Sequence, residues 1–221
     1  MSTDSGYIIS ISKEQLAELP VTSYSGKIQL VDNPSALHAA MRYINKQKMV
    51  GFDTETKPSF RKGCRHKVAL MQISTSDECF LFRLNKLGIC AELKAFLENP
   101  EILKIGLSLH DDFNAISRTE PFEPKGFVDL QSMMKDYTIT DISLQKVYAI
   151  IFGEKISKGQ RLTNWEADSL TRAQQGYAAL DAWACLKIFR HLQEGKFDVL
   201  SSPYRHLPPP PVAMPKEEVM Q

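Results

Sequence analysis

Short runs of alternating or continuous apolar residues fill the first two thirds of the chain, and helical periodicity takes over after them. Residues 7–11 read as a short strand or an ordered arm. Ser12 and Gln15 then stand at capping-box spacing before Leu16 and Leu19, and Pro20 closes that short helix. Residues 26–31 read as a strand. Asn33-Pro34 is an N-cap followed by proline at the first helical position, opening a helix with Leu37, Met41 and Ile44 on one face. Residues 49–56, 68–73 and 78–84 predict three strands, the last two joined by a turn over 74–77. Short connections of this kind favour antiparallel pairing. A polar loop rich in Lys and Arg spans 56–67. Residues 89–97 form an amphipathic helix stopped by Asn99-Pro100, and 102–107 a further strand. A helix over about 112–117, a short strand at 127–130, and helices near 130–137, 143–152 and 171–194 complete the pattern. The order predicts an α/β protein with a mixed sheet.

Within that pattern, the strand at residues 49–56 carries an anomaly. Its apolar run ends in Asp53 and Glu55, which period-2 alternation puts on one face, with Phe52 and Thr54 on the other. Two acids delivered to one spot by a buried strand are costly unless a cation lies between them. Two more acidic positions sit where elements begin or pack: Asp111-Asp112 after the strand at 102–107, and Asp181 in a segment of Ala178, Ala179, Leu180, Ala182, Trp183 and Ala184. Tyr177 precedes Asp181 by four residues and shares its helical face. Carboxylates suit hard divalent cations such as Mg²⁺ and Mn²⁺. Two such ions ~3.5–4 Å apart assist phosphodiester cleavage. Taken one at a time, each acid also reads as a helix cap or as a partner for Arg161 or Arg172; their conjunction points to a metal site.

Composition narrows the class. The chain has 221 residues, 43% of them hydrophobic and 24% charged, enough for one globular domain with extensions. Its 27 Lys and Arg nearly balance 26 Asp and Glu, which argues against a simple charge-driven nucleic-acid binder. Cys64, Cys79, Cys90 and Cys185 form no C-x-x-C pair, so a reducing compartment is expected. The N-terminus shows no signal-peptide pattern, and no apolar run approaches the roughly 18 residues of a membrane span. A cytoplasmic location and no membrane partner are the expectations. The proline-rich stretch from residue 208 reads as an extended or flexible tail.

The motifs together resemble the DEDD superfamily of 3′-5′ exonucleases, in the subtype with tyrosine in the third motif. Ribonuclease D and Werner-syndrome-type exonuclease domains are the most similar in pattern. Val50-Gly51-Phe52-Asp53-Thr54-Glu55 matches the first motif, Lys104 through Asp112 the second, and Tyr177-Ala178-Ala179-Leu180-Asp181 the third. Residues 67–73 and 158–165 are similar to the segments that accompany them. The resemblance covers about residues 27–195. It implies a ribonuclease H-like fold, a mixed five-stranded sheet flanked by helices. The expected domain spans 27–200, between an N-terminal extension (1–26) and the tail (201–221). It further implies that Asp53, Glu55, Asp112 and Asp181 bind two divalent ions, Mg²⁺ or Mn²⁺, and that Tyr177 positions the attacking water. Family spacing favours Asp112 over Asp111 as the ligand. The implied activity is hydrolysis of DNA or RNA from a free 3′ end, single-stranded or recessed, releasing nucleoside 5′-monophosphates. Thr54, His110, Lys158 and Arg161 are candidate substrate contacts, with Arg61, Lys62, Arg65 and Lys67 as candidate backbone trackers. The alternative is a binding or adaptor module on the same fold that has lost catalysis. Trp165, Trp183, Met133 and Met134 read as core.

Overall fold

The computed structural model describes residues 6–59 and 66–208. The first half of the chain runs through β1 (Ile8–Ile9), α1 (Lys13–Glu18), β2 (Lys27–Val31), α2 (Pro34–Ile44), β3 (Met49–Thr56), β4 (Val68–Ser74), β5 (Glu78–Arg83), α3 (Leu84–Leu87) and α4 (Ala91–Leu97). The second half contains β6 (Leu103–Gly106), α5 (Leu109–Ser117), β7 (Phe127–Asp129), α6 (Leu130–Met134), a 3-10 turn (Lys135–Tyr137), α7 (Leu144–Phe152), α8 (Arg172–Gln193) and β8 (Arg205–His206). Arg61, Lys62, Arg65 and most of the proline-rich tail lie outside the described residues.

The main sheet has six strands, in the order β2-β5-β4-β3-β6-β7, where the resemblance implied five. β3, β4 and β5 pair antiparallel, as their short connections demanded. The sixth member is β2, which joins the far edge by pairing parallel to β5. That pairing reaches across some fifty residues of sequence, so no local pattern announces it. β6 and β7 extend the other side in parallel.

Alternation in β3 sorts the core into two layers. Val50 and Phe52 face α2, α4 and α5, within a cluster of Leu37, Met41, Ile44, Leu93, Phe96 and Ile116. The opposite face is covered by α8, whose inward residues are small: Ala178, Ala179 and Ala182 are fully buried. Gly51 permits this approach, because a Cβ there would stand 1.9 Å from the Ala182 carbonyl oxygen. The helix therefore lies directly on the strand's backbone, and any larger residue at 51 forces them apart.

The local signals for helix starts are realised. Asn33 accepts from the Ala36 amide at 3.0 Å, and Ser12 with Gln15 closes a full capping box. The long helix α8 opens with a second box, Thr171 with Gln174. The N-terminal segment is built into the domain. Ile9 and Ile11 are buried, β1 pairs with β8, and the Ile9 amide donates to the Thr138 carbonyl at 2.8 Å. Two buried cations brace the frame. Arg83 donates to the carbonyls of Ala167 and Asp168, fixing the segment before α8. Lys104 donates to the carbonyls of Phe96 (3.1 Å) and Asn99 (2.6 Å) at the end of α4. Trp165 and Met134 are core residues as expected, whereas Met133 and Trp183 are only partly buried against the core, and Trp183 donates to the Ser76 carbonyl. Among the described residues, no helix is long and apolar enough to cross a membrane.

Candidate active site

β3 sits centrally in the sheet, and its α8-facing positions run Gly51, Asp53, Glu55. The glycine brings the helix down onto the strand, and Asp181, the residue just before Ala182, is set against the two acids by the same contact. Asp53, Glu55 and Asp181 each offer a carboxylate oxygen, all within 4.8 Å of one another. Asp181 is only 6% exposed.

Asp112 arrives from the other layer. β6 is four residues long and stops at Gly106, where a Cβ would meet the Leu109 side chain at 2.3 Å. The chain turns sharply there, with Ser108 left-handed at φ 65°, and enters α5 at once. The Asp129 carboxylate holds this turn, accepting from the amides of Ser108 (3.0 Å) and Leu109 (2.9 Å). α5 thus begins three residues earlier than its apolar pattern indicated. Both acids of the Asp111-Asp112 pair lie in its first turn. Asp112 points inward, accepts a hydrogen bond from the Thr54 hydroxyl and raises the pKa of Asp53. Asp111 and His110 point outward, their side chains 92% and 87% exposed. Of the two adjacent acids, Asp112 is therefore the one brought to the cluster. His110 is not.

The electrostatics follow from the packing. Burial, then the neighbouring Asp112, Asp181 and Glu55, hold the Asp53 carboxyl well above the usual carboxylate range. Burial, then Asp181 and Asp112, push Glu55 up to about 9. Burial also raises Asp112 to about 6 against the Thr54 hydrogen bond, and Asp181 to about 7 against the opposing effects of Tyr177 and Lys158. Burial, then Asp181, Glu55 and Asp53, raise the Tyr177 hydroxyl above its usual range, so it stays protonated. Four acids crowded until they resist ionisation form a site that favours positive charge. The donors are all carboxylate oxygens, the set that hard divalent cations take. Asp53, Glu55 and Asp181 are placed to hold such an ion, with Asp112 at its margin.

Two clefts flank the acids. One, of about 710 Å³, is lined by Thr54, Lys57, His66, Asp112, Asn114 and Arg118. The other, of about 460 Å³, brings Lys158 and Arg161 together with Tyr177 and Asp181. Lys158 lowers the pKa of Asp181 and Arg161 that of Glu55, so both cations reach the cluster electrostatically. Trp165, fully buried, braces the Tyr177 ring at 6.1 Å between centroids.

Three further residues near the site carry only a faint signal in the sequence. Asp129 reads as the cap of α6, which it also is, through the Gln131 amide. Its position at a strand end before a helix was the available signal. Arg83 looks like an ordinary strand-end cation. Gln72 is the cross-strand neighbour of Asp53, fully buried in the middle of β4; a polar residue within an apolar run was its signal.

A family model described as 3′-5′ exonuclease matches residues 28–195. Among curated proteins, the chain is 31% identical over 150 residues to the bifunctional 3′-5′ exonuclease/ATP-dependent helicase WRN of Mus musculus. That match covers 65% of this chain and 11% of the mouse protein, so the chain spans a small part of that relative. Among solved structures, the Nibbler EXO domain of Aedes aegypti aligns with a TM-score of 0.72 at 21% identity, covering 81% of this chain and 96% of that one. A Trypanosoma brucei RNase D solved in complex with RNA U12 aligns with a TM-score of 0.67 at 18% identity, over 81% of this chain and 64% of that one. At these identities the structural matches establish the ribonuclease H-like fold.

Proposed function

Because the chain belongs to the 3′-5′ exonuclease family, we propose that it hydrolyses DNA or RNA from a free 3′ end and releases nucleoside 5′-monophosphates. The single observation that carries this reading is the convergence of Asp53, Glu55 and Asp181 within 4.8 Å, beside two clefts. Asp53, Glu55, Asp112 and Asp181 would hold two divalent ions, Mg²⁺ or Mn²⁺. Such ions, when bound, neutralise the acids and draw electron density from the scissile phosphate.

The chain's own residues do the rest. β3 and α8 fix the geometry of three acids, and the Thr54 hydroxyl orients the fourth. Tyr177 stays protonated beside Asp181, so its hydroxyl orients the attacking water by hydrogen bonding and does not act as a base. The water oxygen bonds to phosphorus as the bond to the 3′ oxygen breaks; the proton that the water sheds passes to solvent, and the departing oxygen takes one up from solvent. Lys158 and Arg161 supply positive charge at the wall of the cleft where the phosphate enters. The substrate of this reading is one free 3′ strand end, single-stranded or recessed. Support for RNA among the substrates comes from the RNase D relative solved with RNA U12.

The test is digestion of 5′-labelled DNA and RNA oligonucleotides with Mg²⁺ or Mn²⁺. A ladder shortening from the 3′ end, abolished by chelator, is the expected result. Intact strands of both kinds with both metals would overturn the reading.

A further inference from the structure

A third cleft abuts Tyr177 and is lined by neither Lys158 nor Arg161. It measures about 310 Å³, and its walls include Thr22, Ser23, Tyr24, Ser157, Gln160 and Tyr177. The N-terminal segment forms one wall, and residues 22–24 lie outside the stretch matched by the family model. We propose that this cleft binds a nucleobase of the substrate strand, next to the nucleotide whose phosphate is cleaved. The inference rests on the exonuclease reading above and assigns a recognition site to it.

The chemistry of the lining selects the occupant. Among the described residues, none that lines this cleft carries a charge, in contrast to the neighbouring cleft with Lys158 and Arg161. A phosphate is therefore placed in the charged cleft, and an uncharged ring with hydrogen-bonding edges in this one. Three hydroxyls and the Gln160 amide supply donors and acceptors, and two tyrosine rings supply faces for stacking. Tyr177 lines both clefts, so a base here and a phosphate there belong to adjacent parts of one strand.

The cleft is built rather than left over. The Lys155 amide donates to the Pro20 carbonyl at 2.8 Å, and the Thr22 amide to the Lys155 carbonyl at 2.9 Å, which pins the N-terminal wall to the loop opposite. Tyr24 is seated by Gly26, where a Cβ would stand 2.4 Å from the tyrosine oxygen, and by an edge contact with Trp183 at 6.0 Å. The floor is α8, and it carries a glycine in the helix interior. A glycine there costs helix stability, and Gly176 has no packing reason to be one: a Cβ would meet nothing within 4 Å. The residue that would be an ordinary alanine or leucine is absent where a side chain would enter the cleft.

Gly176 also supplies the test. Gly176→Ala and Gly176→Leu fill the floor without backbone strain, and the alanine variant should melt about 1–4 °C higher than the wild type. Binding of full-length chain to a fluorescent single-stranded oligonucleotide is measured by anisotropy in calcium. The intact strand is compared with strands lacking the base at one of the last three positions. In the wild type, loss of one particular base should weaken binding by about tenfold or more. In Gly176→Leu the intact strand should bind as weakly as that abasic strand, and the abasic strand should lose nothing further. A folded Gly176→Leu chain that binds the intact strand like the wild type overturns the proposal. So does a wild type that digests strands but is indifferent to every abasic position, and this leaves the exonuclease reading standing. A wild type that neither binds nor digests any strand overturns both.

Discussion

Two of the places where the molecule buries charge treat it in opposite ways. On one side of the sheet Lys104 is fully buried, yet two backbone carbonyls accept from it and the rings of Phe96 and Phe127 lie 5.1 and 5.0 Å from its ammonium. Desolvation lowers its pKa to about 8, and the fold meets its charge with partners of its own. On the other side, Asp53, Glu55 and Asp181 crowd together, with Lys158 and Arg161 the cations that act on them. The lysine closes a helix end and belongs to the architecture. Among the described residues the acids are left in deficit of positive charge, and that deficit is the site's capacity to bind.

The largest effects test the acids. Asp53→Ala and Asp181→Ala should each remove nuclease activity by more than the ~100-fold that outer partners typically cost, because each deletes a donor that nothing else replaces. In chelator the isosteric Asp53→Asn should melt no lower than the wild type, since it removes a buried carboxyl whose charged form its neighbours repel. A large drop in melting temperature would mean that the cluster is structural after all.

Lys104→Met tests the other side. It leaves the Phe96 and Asn99 carbonyls without their donor, and should cost about 2–3 kcal/mol of stability by denaturant titration while the folded fraction keeps its activity. Loss of activity without loss of stability would break the contrast.

The pH dependence sharpens it further. Asp112, Asp181 and Glu55 stand at about 6, 7 and 9, above the unfolded carboxylate value of about 4. The folded chain then holds more protons than the unfolded one across that window. Stability in chelator should therefore fall as pH rises from about 4 through about 9. Mg²⁺ or Mn²⁺ should raise the melting temperature by several degrees at pH 8 and by much less at pH 5, where protons already occupy the acids. Equal shifts at both pH values would sever the link between crowding and cation binding. The smallest effect is expected of Thr54→Val, which frees Asp112: roughly a tenfold loss of activity with little change in melting temperature.

Much of this was legible in one dimension. Period-2 alternation places Asp53 with Glu55 and Phe52 with Thr54, and the structure keeps both pairs. Capping chemistry marks the starts of α1 and α2, because the groups that satisfy a helix's first amides lie within a few residues of them. The Tyr177–Asp181 pair needed only helical spacing. Other features had no local trace. Parallel pairing of β2 with β5 added the sixth strand, and Asp129 reaches back twenty residues to hold the turn that presents Asp112. Gly51 reads as a weak point in a strand until the Ala182 carbonyl is seen pressing on it.

Sequence alone thus determined which residues are acidic, which face of its element each occupies, and which family the motifs resemble. Those properties rest on short-range periodicity and residue chemistry. Tertiary structure decided how close the acids come, that Asp112 and not Asp111 turns toward them, and that the N-terminal segment walls a cleft beside Tyr177. Those depend on close approach between segments far apart in the chain, and such approach is set by packing, which has no period to read.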